Sequence, residues 1–309
     1  MNVNCTRHIA PLCILCVVFV WTAPLAAQVP FAYTNRPQGN GMRNAALADA
    51  TGSDPSDVTG MYLNPGCINF LLNPSVVLTH VVDRTTSAQI EHVVLPLLHG
   101  RSFAMAVAGM YSHGGELRPE GDLAVAVKEY GVDIATSMAL TPTLSVGAFA
   151  GGRQVQFAST TKTNGWGQVG MFYYPSPGIS YGWAYRVSSG VSYWSANAQR
   201  GVINEPTLSQ NLEISATMTY PSRSSAPIVT LSLASEKYFP GVSLFSTKGG
   251  LEVYPVSFIA LRVGFKAGTV ERIARYGVGL RFDPVRLDLA VGASRSEDRF
   301  AGISLSVSL

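Results

Sequence analysis

The chain has 309 residues, of which 47% are hydrophobic and only 13% are charged, and its formal net charge is +3. A charge so close to balance gives no indication of nucleic-acid binding, which usually leaves a strongly basic footprint on the sequence. Nucleic acid is therefore excluded as an expected partner.

Residues 1–27 have the pattern of a secretory signal peptide. Arg7 supplies a positive n-region, residues 11–20 (PLCILCVVFV) form a short apolar run, and Leu25-Ala26-Ala27 resembles a cleavage site. The apolar run is too short to span a membrane, so cleavage is predicted. Removing Arg7 from the 22 basic residues leaves 21, against 19 acidic residues. Cys67 is then the only cysteine, so the mature chain has no internal disulfide bond.

Residues 28–72 form a polar stretch punctuated by glycines. Asp54-Pro55 predicts the start of a short helix that runs to about Tyr62, because aspartate caps helices and proline suits their first position. Asn64-Pro65-Gly66 then predicts a break after this helix. Asp54 and Asp57 are also candidates for a cation site, but a helix cap followed by an exposed acid is the favoured interpretation.

After residue 72 the sequence alternates between large apolar residues and polar or small ones, which is typical of β-strands. The last strand (302–309, GISLSVSL) shows the pattern clearly, and residues 179–187 (ISYGWAYRV) place three aromatic rings on the apolar face. Their lengths suit tilted membrane crossings. About fourteen strands are predicted, near 75–83, 87–96, 101–111, 123–139, 143–157, 166–174, 178–188, 209–219, 227–236, 247–255, 257–267, 272–282, 285–293 and 299–309.

Two architectures fit such strands, a soluble periplasmic β-sandwich and a transmembrane barrel. The apolar face continues to the last residue, and the aromatic rings fit a girdle facing lipid, which favours the barrel. Short turns such as Thr141-Pro142 alternate with longer links such as 189–208, as periplasmic turns and external loops do. We therefore predict an all-β protein of the cell outer membrane, with an antiparallel transmembrane β-barrel at 73–309. An even strand count puts both barrel ends on the periplasmic side, so residues 28–72 are predicted to form a hatch beside or inside the lumen.

Charged residues interrupt the small residues on the predicted lumen face. In a narrow interior an unpaired charge is costly, so these residues predict an ion-pair network that holds the hatch through Asp49, Asp54 or Asp57. The alternative is a cationic constriction that selects anions or fatty-acid carboxylates. The predicted lumen charges are Asp133, Arg186, Glu252, Arg262, Lys266, Arg275, Arg281, Arg286 and Asp288.

Candidates for catalysis are few. The mature chain contains His80, His92, His99 and His113, and only His113 has an acid close by in a predicted external loop, at Glu116. No sequence motif identifies a serine nucleophile that could act with His113, and no metal-ligand spacing occurs. Gly277-Val278-Gly279 belongs to a strand and not to a phosphate-binding loop. The sequence predicts no enzyme, cofactor or metal.

Several motifs resemble those of the FadL/PorV superfamily of outer-membrane proteins. The similarity begins at Gly41-Met42-Arg43 and includes Ala46-Leu47-Ala48-Asp49-Ala50, Ser53-Asp54-Pro55 and Tyr62-Leu63-Asn64-Pro65-Gly66. It continues through the barrel segments 167–186, 249–268 and 275–289. This chain lacks the alanine that usually stands between the proline and glycine of the last motif, and Leu309 replaces the usual terminal aromatic residue.

The resemblance is greatest to PorV/PorQ-type components of type IX secretion. It implies a non-enzymatic barrel that binds a secretion-system or cargo protein at its rim and at the hatch motif formed by Asp54, Pro55, Asn64, Pro65 and Gly66. The alternative is a FadL-like passive conduit for apolar small molecules, in which the hatch shifts and lumen arginines steer a carboxylate. Both hypotheses place the barrel in outer-membrane lipid.

Overall fold

The computed structural model describes residues 41–83, 88–117, 125–157, 160–191, 206–221, 228–239, 244–268, 272–294 and 300–309. The predicted signal peptide and the first part of the predicted hatch, residues 28–40, lie outside these ranges. Within them, no helix combines the length and the apolar character needed to cross a membrane.

The described chain folds into one closed antiparallel barrel of fourteen strands, in which each strand pairs with its neighbours in sequence. The first and last strands close the barrel, with Ser75 opposite Ser308 and Asp83 opposite Phe300. Closure satisfies the edge hydrogen bonds that an open sheet would leave unpaired. The strands are β1 Ser75–Asp83, β2 Gln89–His99, β3 Phe103–Leu117, β4 Val125–Thr141, β5 Leu144–Phe157, β6 Thr160–Ser176, β7 Ile179–Val191, β8 Pro206–Tyr220, β9 Val229–Phe239, β10 Leu244–Val256, β11 Ile259–Gly268, β12 Arg272–Phe282, β13 Val285–Ser294 and β14 Phe300–Ser308.

The outside of the barrel is apolar. On β4, for example, Val132, Ile134 and Met138 are exposed, whereas the alternate residues Asp133 and Ala135 are buried. An exposed apolar belt around a closed barrel is the surface of a transmembrane protein of the outer membrane. The predictions of an all-β fold and of this location are confirmed, and the soluble sandwich is excluded because the sheet closes on itself.

The strand predictions fail mainly at the end of the barrel opposite the chain termini. The sequence predicts a link at 158–165, but β6 begins at Thr160, and β5 and β6 pair from Phe157 and Thr160 onward. Both faces of a strand are polar where it rises above the membrane, so the apolar alternation ends before the strand does. The long link 192–205 falls outside the described residues.

Residues 41–72, hereafter the inner segment, lie within the barrel. They contain helix α1 (Gly41–Ala46) and two 3₁₀ helices, Val58–Tyr62 and Pro65–Phe70. The predicted helix start at Asp54-Pro55 is wrong, because Asp57 is the N-cap and accepts from the backbone N–H of Thr59. Asp57 is correspondingly buried, where an exposed acid was expected. The helix does end at Tyr62, as predicted, and after the break Asn64 caps the second 3₁₀ helix, which begins at Pro65.

The hydrophobic core lies between the inner segment and the wall. One cluster joins the two 3₁₀ helices to β1–β6, and a smaller cluster joins α1 to β1, β2, β3 and β13. The barrel therefore has a packed interior along the described part of the chain. This arrangement determines which side chains meet inside it.

Candidate functional site inside the barrel

Glycines on the inner face of the wall allow the backbone of the inner segment to lie directly against the strands. A Cβ atom on Gly264 would come within 2.5 Å of Ala48 N, and one on Gly182 within 2.5 Å of Gly52 O. A Cβ atom on Gly147 would come within 2.6 Å of Gly66 N. These approaches are far closer than real Cβ contacts, so only glycine permits them. The contacts follow the inner segment around β11, β7 and β5.

A cluster of buried charges connects α1 to the wall at β10, β11 and β13. Arg43 donates to Glu252 at 2.5 and 3.1 Å and to Asp54 at 2.7 Å. Glu252 also accepts from Arg262 at 2.6 Å, and Arg262 lies 2.8 Å from Asp288. Asp54 of the hatch motif therefore reaches the wall through Arg43. The chain of contacts continues to Arg286, which lies 2.7 Å from Asp288.

A second buried cluster lies on the adjoining wall strands β8, β9, β10 and β11. Lys248 lies 2.6 Å from Glu213 and 2.8 Å from Glu236. Lys266 is 3.9 Å from Glu236. Asn211 donates to Glu236 at 2.5 Å. The lysines and carboxylates of this cluster balance each other, so it adds no net charge to the lumen.

Two further arginines of the wall contact the inner segment. Arg275 donates to Asp49 at 2.8 Å and to the carbonyl oxygen of Ala45 at 3.4 Å. Arg186 donates to the carbonyl oxygen of Tyr62 and to Gln168 at 2.8 Å. Both contacts hold backbone at the ends of short helices, where carbonyl groups need partners.

The phenol of Tyr62 joins the inner segment to β2 and β4. It donates to Asp133 at 2.8 Å and lies 2.6 Å from Nε2 of His92. Burial, together with the neighbouring carboxylate, raises the pKa of Tyr62 well above its ordinary value. The phenol is therefore protonated, and His92 Nε2 is the donor to its oxygen.

The Asn64-Pro65-Gly66 motif is held by hydrogen bonds between side chains and backbone groups. Asn64 accepts from Gly66 N at 3.0 Å and donates to the carbonyl oxygen of Met171 at 2.9 Å. The hydroxyl of Ser145 donates to the carbonyl oxygen of Gly66 at 2.6 Å, and that of Ser137 does so at 3.1 Å. Pro55 is partly buried and follows directly after Asp54.

The apolar side chains of the two 3₁₀ helices and of the residue that follows them face one part of the wall. Val58, Met61, Cys67, Ile68 and Leu71 pack against β1–β6. The wall contributes mostly small or aliphatic side chains there, together with three large aromatic rings. These wall residues are Val77, Val94, Ala104, Ala106, Ala108, Ala135, Phe149, Trp166 and Phe172. The lumen thus has a mainly apolar sector at β1–β6, which also holds His92 and Asp133, and a charged sector at β8–β13.

One predicted lumen charge belongs elsewhere. Arg281 lies at the barrel rim, where its partly exposed side chain donates to Asp283 in the following turn at 3.1 Å. The alternation of β12 correctly predicts that Arg281 is on the inward face. Alternation carries no information about the height of a residue along the barrel axis. The other eight predicted charges lie in the interior contacts described above.

Sequence reasoning missed Arg43, Tyr62 and Lys248, which are central to these contacts. Arg43 and Tyr62 belong to a segment without strand periodicity, so no alternation marks their direction. Lys248 does follow the alternation of β10, because Gly250 and Glu252 lie on the same inward face. That pattern was a signal that could have found it.

The remaining histidines form no catalytic set within the described residues. His80 faces outward and contacts Glu91, and His113 stacks on Tyr111 on the outside of β3. His99 lies at the end of β2. The part of the chain that the structure describes contains no group of three or more side chains placed to hold a metal ion.

Comparison with solved structures finds FadL-type barrels. The CymD monoaromatic hydrocarbon channel is 13% identical, with 87% of this chain and 97% of that chain covered and a TM-score of 0.60. A Pseudomonas aeruginosa FadL homologue is 11% identical over 87% and 97% of the two chains, with a TM-score of 0.55. The P. putida toluene transporter TodX is 13% identical over 85% and 98%, with a TM-score of 0.53.

No protein-family model and no curated protein matches the sequence. At 11–13% identity, the structural similarity shows a FadL-like barrel fold and nothing finer.

Proposed function

We propose that this barrel is a non-enzymatic, passive conduit for small hydrophobic molecules, gated by its inner segment. The apolar sector carries the proposal. The side chains of Met61, Ile68 and Leu71 meet the wall at β1–β6 through apolar contacts, so a shift of this part of the segment opens an apolar surface to a ligand. The fold is also that of barrels described as a monoaromatic hydrocarbon channel and a toluene transporter.

The charged sector favours an uncharged cargo. Arg262 and Arg286 face Glu252 and Asp288, and Lys248 faces two carboxylates, so their charges are compensated inside the protein. A cationic constriction that attracts carboxylates needs positive charge that is not already neutralised. The charged sector therefore holds the inner segment in its closed position through contacts that must part when the segment shifts, and the apolar sector forms the path.

A reversible lock tests the proposal. Ser53 of the inner segment lies 3.0 Å from Thr217 of β8 between their side-chain oxygens, so S53C and T217C place two sulfur atoms within reach of a disulfide bond. The variant S53C/T217C also carries C67S, which removes the remaining cysteine of the mature chain. Uptake of a labelled monoaromatic hydrocarbon is measured in Gram-negative cells that express this chain in place of their own hydrophobic-compound channel.

The conduit predicts that oxidation abolishes uptake and that reduction restores it. The controls S53C/C67S and T217C/C67S cannot form the lock and should transport under both conditions. Equal uptake in the oxidised and reduced forms of the double-cysteine variant, at the wild-type rate, would show that no movement of the segment at Ser53 is needed.

The second candidate is a secretion-associated component of the PorV/PorQ type that binds a protein partner. One observation favours it: the inner segment is anchored by buried ion pairs at Arg43 and Asp49, as in a permanently closed scaffold. On this hypothesis the cells take up no hydrocarbon, with or without the lock. The barrel should instead be recovered from gently solubilised outer membranes with a protein subunit in fixed proportion.

A further inference from the structure

A polar pair lies on the lipid-facing side of the barrel, where apolar residues are expected. His80 on β1 and Glu91 on β2 are direct cross-strand partners, and their side chains are 2.7 Å apart. Their side chains are 40% and 49% exposed, so the barrel itself does not cover them. Ionisable residues that face lipid are costly and indicate a functional site with a specific partner.

The pair lies within the depth of the bilayer. His80 is the sixth residue of β1, counted from the end that carries the chain termini, and Glu91 lies eight positions from the corresponding end of β2. With a rise of about 3.3 Å per residue and a tilt of about 40°, these positions lie roughly 13–20 Å above that end of the sheet. The apolar band of such barrels is about 25 Å tall, so the pair falls in its upper half.

Hydrogen-bonding side chains extend from the pair along one row of the sheet. Glu91 is opposite Tyr111, Tyr111 is opposite Tyr130, and Tyr130 is opposite Gln154. All of these residues point outward, and the two tyrosine rings lie 5.1 Å apart. The row therefore presents imidazole, carboxylate and phenol groups to the upper part of the membrane. It ends at Gln154, which pairs with Thr163 in the part of β6 that rises above the membrane.

A groove of about 1090 Å³ runs along this row on the outer wall. Gly109 and Gly152 form part of its floor, because they add no side chain to the wall. Its sides are apolar and include Leu78, Val132 and Ile303. The groove thus combines an acyl-chain surface with hydrogen-bonding groups that ordinary hydrocarbon chains cannot satisfy.

We propose that this groove is a specific binding site for an outer-leaflet glycolipid whose acyl chains carry hydroxyl and amide groups. The chains fill the groove, and their polar groups, which lie just below the headgroup, bond to Glu91, His80 and Tyr111. Glu91 disfavours binding through lipid phosphate alone, since like charges repel. The proposal concerns the outer wall and is independent of transport through the lumen.

The test uses the full chain purified in mild detergent and titrated with two lipids, lipid A and a phosphatidylethanolamine without hydroxyl groups on its chains. Bound lipid is counted by native mass spectrometry for the wild type, for H80V/E91V and for T247V. Thr247 lies on the outer face of β10, on the far side of the barrel, and its change provides a matched loss of a polar group. Heat-modifiable gel mobility verifies that each variant is folded.

Wild type and T247V should retain lipid A at least about tenfold better than phosphatidylethanolamine. H80V/E91V should lose this preference, because the hydrogen bonds to His80 and Glu91 provide most of it. Equal retention of the two lipids by the wild type would overturn the proposal, as would an unchanged preference in H80V/E91V. A mass increment of a whole second chain that disappears in H80V/E91V would overturn it in favour of a dimer interface.

Discussion

Arg43 and Glu252 are 209 residues apart in sequence, yet their side chains form a buried contact of 2.5 Å between Nη2 and Oε2. Arg43 belongs to the helix that opens the inner segment, and Glu252 belongs to β10. Because Glu252 also accepts from Arg262 of the wall, one carboxylate joins the segment to the barrel. The contact makes the position of the segment and the stability of the barrel interdependent.

Replacement of Arg43 by alanine should destabilise the protein strongly. Glu252 and Asp54 would remain buried without this partner, and removal of one member of a buried ion pair costs about 3–5 kcal/mol. R281A is the matched control, since Arg281 forms an exposed pair at the rim that contributes only about 0–1 kcal/mol. Denaturant unfolding in lipid vesicles measures both free energies of unfolding. Similar losses in the two variants would contradict the anchoring role of Arg43.

A methyl group on Gly147 should displace the inner segment near Gly66. Its Cβ atom would lie 2.6 Å from Gly66 N, whereas the Cβ atom in the control G167A meets its first neighbour only at 3.8 Å. The reactivity of the Cys67 thiol shows whether the segment has moved. Burial, with the nearby Asp54 and Asp57 charges, raises the pKa of its thiol and keeps it unreactive.

In G147A the rate of Cys67 alkylation by a small thiol reagent should rise by at least about tenfold, because exposure restores ordinary thiol acidity. G167A should react as slowly as the wild type. If Cys67 remained protected in G147A, the backbone would have to accommodate the methyl group by a shift of the wall.

Tyr62 should make the protein less stable at high pH. The pKa of Tyr62 is raised in the folded state by burial and by Asp133, whereas in the unfolded chain it is about 10. The unfolded state therefore releases this proton first, and the stabilisation is complete below pH ~10 and declines as the pH rises above it.

Unfolding midpoints measured from about pH 9 to pH 11 should fall less steeply for Y62F than for the wild type, because phenylalanine has no proton to release. Y276F, which changes an exposed tyrosine on the lipid side of β12, should keep the wild-type slope. A wild-type slope in Y62F would show that its phenol is not buried in solution.

Loss of Lys248 should destabilise the charged sector. K248M removes the cation that contacts both Glu213 and Glu236, and removal of one member of a buried ion pair costs about 3–5 kcal/mol. The double variant K248M/E236Q should recover part of this loss in free energy of unfolding. The control K237M changes an exposed lysine on β9 and should have an effect below about 0.5 kcal/mol. No recovery in the double variant would indicate that packing, and not charge, is what Lys248 contributes.

The barrel strands could be predicted because alternation is a local signal. In β11, residues such as Leu261, Val263 and Phe265 face lipid, so the apolar alternation can be recognised within a few neighbouring residues. The inner segment could not be predicted in the same way. Asp54-Pro55 satisfies the local rules for a helix start, yet Asp54 forms an ion pair with Arg43, and Asp57 caps the helix instead.

The sequence by itself determined a fourteen-stranded barrel in the outer membrane, with charges and small residues on the inward face, because strand direction and face depend only on period-two alternation. Only the tertiary structure decided which charges meet. Arg43 and Glu252, or Tyr62 and Asp133, become neighbours only after the barrel closes and the inner segment enters it. Such contacts depend on register, height and burial together, and none of these is a property of a short stretch of chain.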